Sequence, residues 1–207
     1  MAEKRSADKL EMILSAAQKR FHHFGLTKTT MNDIAEDIGM SKASLYYYFR
    51  DKESIFAAVV KREQEHFGEE MEKLIAKKGQ AEWMLIEYVN MRIELLRKTL
   101  LLSKLNSDNL REVKPLFKDL FTAFRKRELS LIRAILENGN ERGEFSTDQV
   151  KKQSEFFLDT LRAIRQSALY SPVGEMQIEL SAQKITYLKN QSRMFTEMFI
   201  NHIKNNR

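Results

Sequence analysis

Apolar residues recur every third or fourth position along most of this chain, the spacing of helices that bury one face. No segment alternates apolar and polar residues in the manner of a strand. Ile13, Ala16, Ala17, Phe21 and Phe24 outline a first helix, capped by Ser6 or Asp8 and stopped by Gly25. Met31, Ile34, Ala35 and Ile38 outline a short second helix, and Leu45 and Phe49 a short third. From Asp51 a long helix carries Ile55, Phe56, Val59, Val60, Phe67, Met71 and Leu74 to about Lys78. At ~1.5 Å per residue it spans roughly 40 Å, more than one small domain. It is therefore expected to link two domains mechanically, at 1–52 and 53–207.

Gly79 breaks the pattern. A helix over about Ala81 to Lys104 follows, apolar on more than one side and so expected to be central. Arg92 lies inside that apolar run. Either it snorkels to the surface, or it is buried against an acidic partner, which could be a ligand carboxylate. Ser107 and Asp108 mark a loop or a short helix start. Pro115 suits the first turn of a helix reaching about Asn138, ended by Gly139 and Gly143. Ser146 or Thr147 caps a helix to about Leu169, Pro172 and Gly174 interrupt, and a last helix runs from about Met176 to Ile203. The sum is an all-α fold of about nine helices. The two long terminal helices, each with an apolar stripe, form an antiparallel pair. Its stripes are either spent inside the monomer or shared with a second copy in a four-helix bundle.

Composition narrows the function. The chain of 207 residues has only two Pro and seven Gly, which favours helix. It has no Cys, which excludes disulfides, thiolate metal sites and Cys nucleophiles. No run of eighteen apolar residues could span a bilayer. The N-terminus lacks the unbroken apolar core of a signal peptide, so a cytoplasmic protein is expected. His22 and His23 are a poor metal pair, because adjacent residues on a helix point about 100° apart. No nucleophile elbow, phosphate-cradling Gly loop or metal-spaced cluster is present, so neither an enzyme nor a cofactor is expected. The net charge of +6 invites a nucleic-acid reading. Residues 1–56 nevertheless carry nine Lys/Arg against eight Asp/Glu. Any DNA contact must then rest on where Lys28, Lys42, Arg50 and Lys52 sit, with Asp33, Glu36 and Asp37 facing away.

The chemistry concentrates between Thr29 and Lys52. Thr30 with Asp33 three residues on is a capping-box pattern. Gly39 can take the positive φ that ends a helix, and Ser41 can cap the next. Two short helices around a Gly-containing turn make a helix-turn-helix. Three consecutive tyrosines, Tyr46, Tyr47 and Tyr48, cannot all be core, since successive residues are spread about 100° apart. Outward Tyr beside Ser and Lys suits contact with phosphates and base edges. Asp51 caps the long helix and places Lys52 at its phosphate-attracting N-terminus.

The run T-x-x-x-I-A-x-x-x-G-M-S-K-x-S-L-Y-Y-Y-F-x-D-K-E resembles the tetracycline-repressor (TetR) family of bacterial regulators, over roughly Leu10 to Phe56. A weaker echo, Gly139-x-x-x-Gly143-Glu144-Phe145, is similar to the end of a long ligand-domain helix in many members. The resemblance implies a homodimer through the last two long helices, bound to a palindromic operator in double-stranded DNA. Carried over position by position, it implies that Thr30, Ser41, Tyr47 and Lys52 hold phosphates. Lys42, Ala43, Ser44 and Tyr46 would meet base edges or thymine methyls. Many members have His where Tyr48 stands. It also implies a cavity for a mostly apolar effector, lined by Phe67, Met71, Tyr88, Met91, Phe117, Phe121, Phe124 and Phe157, with Arg92 a candidate polar handle. The function expected is a ligand-responsive repressor. The competing readings are an all-helical interaction protein and a ligand-independent regulator or activator.

Overall fold

The structure is a computed structural model. It describes the backbone of residues 2–103, 107–169 and 181–204, and the side chains of these except 2–5, 103, 107–117 and 119. Eight helices and no strand are found among the described residues: α1 (Ala2–Lys28), α2 (Met31–Asp37), α3 (Lys42–Tyr48), α4 (Lys52–Ala76), α5 (Ala81–Ser103), α6 (Ser107–Glu141), α7 (Val150–Leu169) and α8 (Ala182–Lys204). The chain divides into two compact units, one of residues 1–63 and 97–121, the other of 64–96 and 122–207. No described helix is long and apolar enough to cross a membrane.

In the first unit the apolar stripe of α1 closes over α2, α3 and the start of α4. Ile13, Ala17, Phe21, Ile34, Leu45 and Ile55 are wholly or almost wholly buried. Phe21 meets Phe56 edge-on, with ring centroids 5.3 Å apart. Gly25 does stop α1 in its regular form: its φ of 78° kinks the chain, and one further turn runs on to Lys28. The Thr29 hydroxyl closes that turn by donating to the Gly25 carbonyl at 2.8 Å.

The second unit is built on α7 and α8. The Ser146 amide, just ahead of α7, donates to the carbonyl of Ile203 near the end of α8 at 2.9 Å. Phe157 on α7 packs against Phe199 and Phe195 on α8, at 4.8 and 5.5 Å between centroids. The pair is therefore antiparallel. Against it lie Met84, Leu85 and Tyr88 of α5 and Ile132, Ile135 and Leu136 of α6, all fully buried.

One helix differs from the sequence expectation. The short element at Ser107 and the helix expected to open at Pro115 are one continuous α6 beginning at Ser107, which gives eight helices among the described residues where about nine were expected. A proline removes one backbone hydrogen bond. The helix-favouring residues on either side, Leu110-Arg111-Glu112 and Leu116 onward, carry the backbone through it. The expected breaks at Pro172 and Gly174 and the expected start at Met176 lie outside the described residues. The described α8 opens behind Ser181, whose hydroxyl accepts from the Lys184 amide at 3.2 Å.

The Gly139–Phe145 segment folds back on itself. Gly143 takes a φ of 70°. The amides of Glu144 and Phe145 both donate to the Gly139 carbonyl, at 2.8 and 3.1 Å. The Glu144 carboxylate reaches the first amide of α5, at Ala81, at 2.7 Å. The Phe145 ring lies on the bare Cα of Gly139: a Cβ there would stand 2.2 Å from Phe145 Cδ2 and 2.9 Å from Ala81 Cβ.

Candidate functional site

Two places concentrate chemistry, one in each unit. In the first unit, local capping fixes the geometry. The Asp33 amide donates to the Thr30 hydroxyl at 3.2 Å, and the Thr30 amide donates back to Asp33 Oδ2 at 2.8 Å, a complete capping box. The Thr30 hydroxyl also donates to that carboxylate at 2.8 Å. Gly39 turns the chain at a φ of 62°, and Ser41 accepts from the Ser44 amide at 3.1 Å to open α3. α3 is held by one side chain, the fully buried Leu45.

Everything else at the start of α3 faces outward. Ser41, Lys42, Ala43, Ser44, Tyr46 and Tyr47 are exposed, and Tyr47 is 85% so. Tyr48 is half-buried and meets Tyr47 edge-on at 5.3 Å. The Lys42 ammonium sits 5.9 Å from the centre of the Tyr46 ring. Thr30 is exposed at the mouth of α2. Lys52 is engaged: its ammonium donates to the carbonyls of Leu26 and Thr27, at 2.9 and 3.1 Å. An ammonium has three donors, so one proton remains for a phosphate. Arg50 is exposed and paired with its neighbour Asp51 at 3.0 Å.

The acidic residues of α2 have partners of their own. Arg20 holds Asp37, the Asn32 amide donates to Glu36, and Asp33 is committed to Thr30. Hydrogen bonds from Thr30 hold the Asp33 carboxyl below its ordinary range. The hydrogen bond from Arg20 does the same for Asp37. Asp33 and Asp37 stay charged and tied down, while a largely uncharged polar face with one lysine is left outward on α3. That face can present hydroxyl and phenol groups to base edges and phosphates.

In the second unit, a cavity of about 30 Å³ opens among α5, α6, α7 and α8. That is room for roughly two waters. Its apolar wall is Val89, Ile93, Leu96, Leu158, Leu161 and Leu188, and its polar groups are Tyr88, Arg92, Glu128, Arg162, Arg165 and Ser192. Glu128 is 3% exposed and sits at the centre. Its Oε1 accepts from the Tyr88 hydroxyl at 2.8 Å and from Arg92 Nε. The Arg92 guanidinium also lies 4.9 Å from the centre of the Phe124 ring. Arg92 is thus mostly, not wholly, buried and paired with an acid of its own chain, nearer the second of the two alternatives left open by the sequence. Burial pushes the Tyr88 phenol well above its ordinary value, and Glu128 adds to the shift.

Of the residues expected to line a cavity, Tyr88 and Arg92 do so. Phe67, Met71, Phe124 and Phe157 pack into the core instead, with Met91 half-buried against it. Tyr88 meets Phe67 at 5.7 Å and Phe157 at 6.4 Å, and Phe67 meets Phe124 at 5.7 Å. Close packing of rings removes more apolar surface from water than a cavity wall would. Phe121 is half exposed and belongs to the first unit, and the Phe117 side chain lies outside the described residues. Four polar lining residues were not anticipated: Glu128, Arg162, Arg165 and Ser192. Glu128 had a legible signal, since it occupies a core position in the spacing Phe124, Glu128, Leu131, Ile135. Arg162 and Arg165 share a helix face with Leu158 and Leu161, another signal visible in the sequence.

Residues 13–59 match the family described as bacterial regulatory proteins, tetR family. An HTH-type transcriptional regulator of Bacillus subtilis, YfiR, is 29% identical over 182 residues, 81% of this chain and 82% of that protein. The crystal structure of a transcriptional regulator from Cytophaga hutchinsonii is 40% identical, covers 95% of this chain and 99% of its own, and superposes with a TM-score of 0.84. SmeT, the repressor of the Stenotrophomonas maltophilia multidrug efflux pump SmeDEF, shares the fold at 19% identity, covering 95% of this chain and 91% of its own, with a TM-score of 0.61. A SmeT–triclosan complex superposes comparably, with a TM-score of 0.62 at 20% identity and coverage of 95% and 92%.

Proposed function

This chain belongs to the TetR family of bacterial regulatory proteins and is a DNA-binding transcriptional regulator; we propose that it is a dimeric repressor released from a palindromic operator by a small molecule. The observation that carries the DNA contact is the outward face of α3, with Leu45 buried beneath exposed Lys42, Ser44, Tyr46 and Tyr47. Set into a major groove, this face puts Lys42, Ala43, Ser44 and Tyr46 at base edges. Thr30, Ser41, Tyr47 and the remaining proton of Lys52 take phosphates. The reading places DNA recognition in residues 1–52 and effector binding and dimerisation in 53–207, in a protein working in the cytoplasm.

Dimerisation rests on α7 and α8. They leave Phe156, Tyr187, Met194 and Met198 exposed, at 60%, 47%, 52% and 65%. Tyr187, Met194 and Met198 repeat at helical spacing on α8, and a stripe of this kind marks an interaction surface. Two copies joined there present two α3 helices to half-sites one turn apart, ~34–36 Å.

An effector binds in the second unit, at the cavity bordered by Tyr88 and Arg92. SmeT, which has the same fold, has been captured with triclosan. Ligand acts on α3 through α4, which contributes residues to both units. A coupling of ~1–3 kcal/mol, about 5–150-fold, suffices to lift repression, and it is reciprocal.

Selection of bound sequences from random duplex DNA by the purified protein tests the reading. One palindromic motif is expected. No enrichment at low salt, where even non-specific contacts are strongest, from protein shown by mass spectrometry to be free of ligand, overturns it.

A further inference from the structure

Among the described residues, the lining of the cavity in the second unit carries more positive than negative groups. Its lining contains three guanidinium groups, Arg92, Arg162 and Arg165, and one carboxylate, Glu128. Glu128 is already committed to Arg92 and the Tyr88 hydroxyl. Arg162 stands 3.8 Å from Asp159, but that carboxylate is gripped at 2.6 and 3.2 Å by Arg125. Arg165 has no hydrogen bond or ion pair to any described residue, although it is partly shielded from water. Burial, and next the charge on Arg92, pull its guanidinium down to about 10. A partly shielded cation with no partner among the described residues, beside two others, is costly unless something compensates it.

We infer that the effector is an amphiphilic oxyanion, its carboxylate or phosphate head held by Arg165 with Arg162 beside it, and its aliphatic body against Leu158, Leu161 and Leu188. The inference rests on the ligand-responsive reading given above. A guanidinium fork matches either head group with two parallel hydrogen bonds. Apart from Tyr88, the apolar residues of the lining are branched aliphatic, so the body they suit is an alkyl chain. With about 30 Å³ of space, the cavity does not admit such a chain until α5, α7 and α8 part. Binding therefore changes the packing of this unit, as an effector must if it is to alter affinity elsewhere.

The test uses the full chain and four compounds that share one alkyl chain: decanoate, decyl phosphate, decanol and decyltrimethylammonium, all below their micellar concentrations. Affinity is read by calorimetry and by the shift in melting temperature. At least one of the two anions is expected to bind roughly tenfold or more tightly than decanol, and the ammonium not to bind. Arg165→Met should lower affinity for that anion by roughly tenfold or more and leave decanol unchanged. It should also raise the melting temperature of the free protein, because it removes an uncompensated charge. Arg165→Gln serves as the second variant, and the compound series on the unaltered protein depends on neither. Equal binding of decanol and the anions, an anion affinity indifferent to Arg165, or no binding by either anion overturns the inference. The ligand-responsive reading falls separately, and only if a broad set of neutral and charged compounds all fail to release operator DNA.

Discussion

The Arg20 guanidinium grips the Asp37 carboxylate through two parallel hydrogen bonds, Nε to Oδ2 at 2.6 Å and Nη2 to Oδ1 at 2.7 Å. The pair ties α1 to the end of α2 and so fixes the base on which α3 stands. It also gives the first unit a definite response to acid.

Asp37 and Asp33 both titrate below their ordinary range. A carboxyl with a depressed folded value stabilises the native state above its unfolded value, about 3.9. That contribution disappears as pH falls through the folded value. The melting temperature is thus expected to decline from about pH 5 downward, and Asp37→Asn should flatten part of the decline. A melting curve for Asp37→Asn with the same pH dependence as the parent would show that the pair contributes nothing.

Leu45 is the sole buried residue of α3. Leu45→Ala is expected to cost ~2–5 kcal/mol in urea unfolding, the range for a buried Leu truncated to Ala. Tyr47→Ala, at an 85% exposed position, should stay within about 0.5 kcal/mol of the parent while weakening operator binding. If Tyr47→Ala destabilises as much as Leu45→Ala, the tyrosine belongs to the core and the outward face is misassigned.

Lys42 offers a more specific reading of the interface. If its ammonium meets a base, Lys42→Ala relaxes sequence preference at one position of each half-site and costs ~1–3 kcal/mol. A phosphate contact would instead lower affinity evenly across sequences and reduce the salt slope by about one. The base contact is expected here, and titrations at several salt concentrations on operator and mutated operator separate the two.

Glu128 is the pivot of the second unit. Removing it with Glu128→Ala leaves Arg92 shielded and uncompensated beside Arg165, which is expected to cost ~3–5 kcal/mol. The double variant Arg92→Met, Glu128→Leu should recover most of that loss, since an apolar pair of similar size replaces a buried ion pair at little cost. Denaturant titration of the three proteins decides it. A loss below about 1 kcal/mol for the single variant would put the pair among ordinary surface ion pairs.

Met198, 65% exposed on α8, is expected to lie in the dimer contact. Met198→Glu should shift the mass measured by light scattering toward the monomer and weaken operator binding with it. An unchanged dimer mass would move the interface elsewhere.

Much of the first unit was legible because its signals are local. Thr30 and Asp33 are three residues apart, and so are Ser41 and Ser44, and the caps they form need no partner from elsewhere. The outward tyrosines followed from helical geometry alone. Lys52 shows where such reasoning stops. Its place at the start of α4 was readable, but the carbonyls that hold it come from Leu26 and Thr27, on the far side of two helices in sequence. In the second unit, helical periodicity identified the aromatic residues but could not say whether they line space or fill it. Ring packing drew Phe67, Phe124 and Phe157 into the core. The cavity fell to the charged residues interleaved with leucine, whose pairing depends on which helices meet.

Gly139 carries a constraint of another kind. Its lack of a side chain makes room for the Phe145 ring and for Ala81, and those two residues fix the turn that caps α5. The three positions therefore form a locked set in sequence space. No single-step path leads from glycine to alanine at 139 until the ring at 145 has shrunk, and a smaller residue at 145 on its own opens a void. Descendants of this chain should keep the trio or change it together, which makes these positions a better marker of shared ancestry than single residues without such interlocking neighbours.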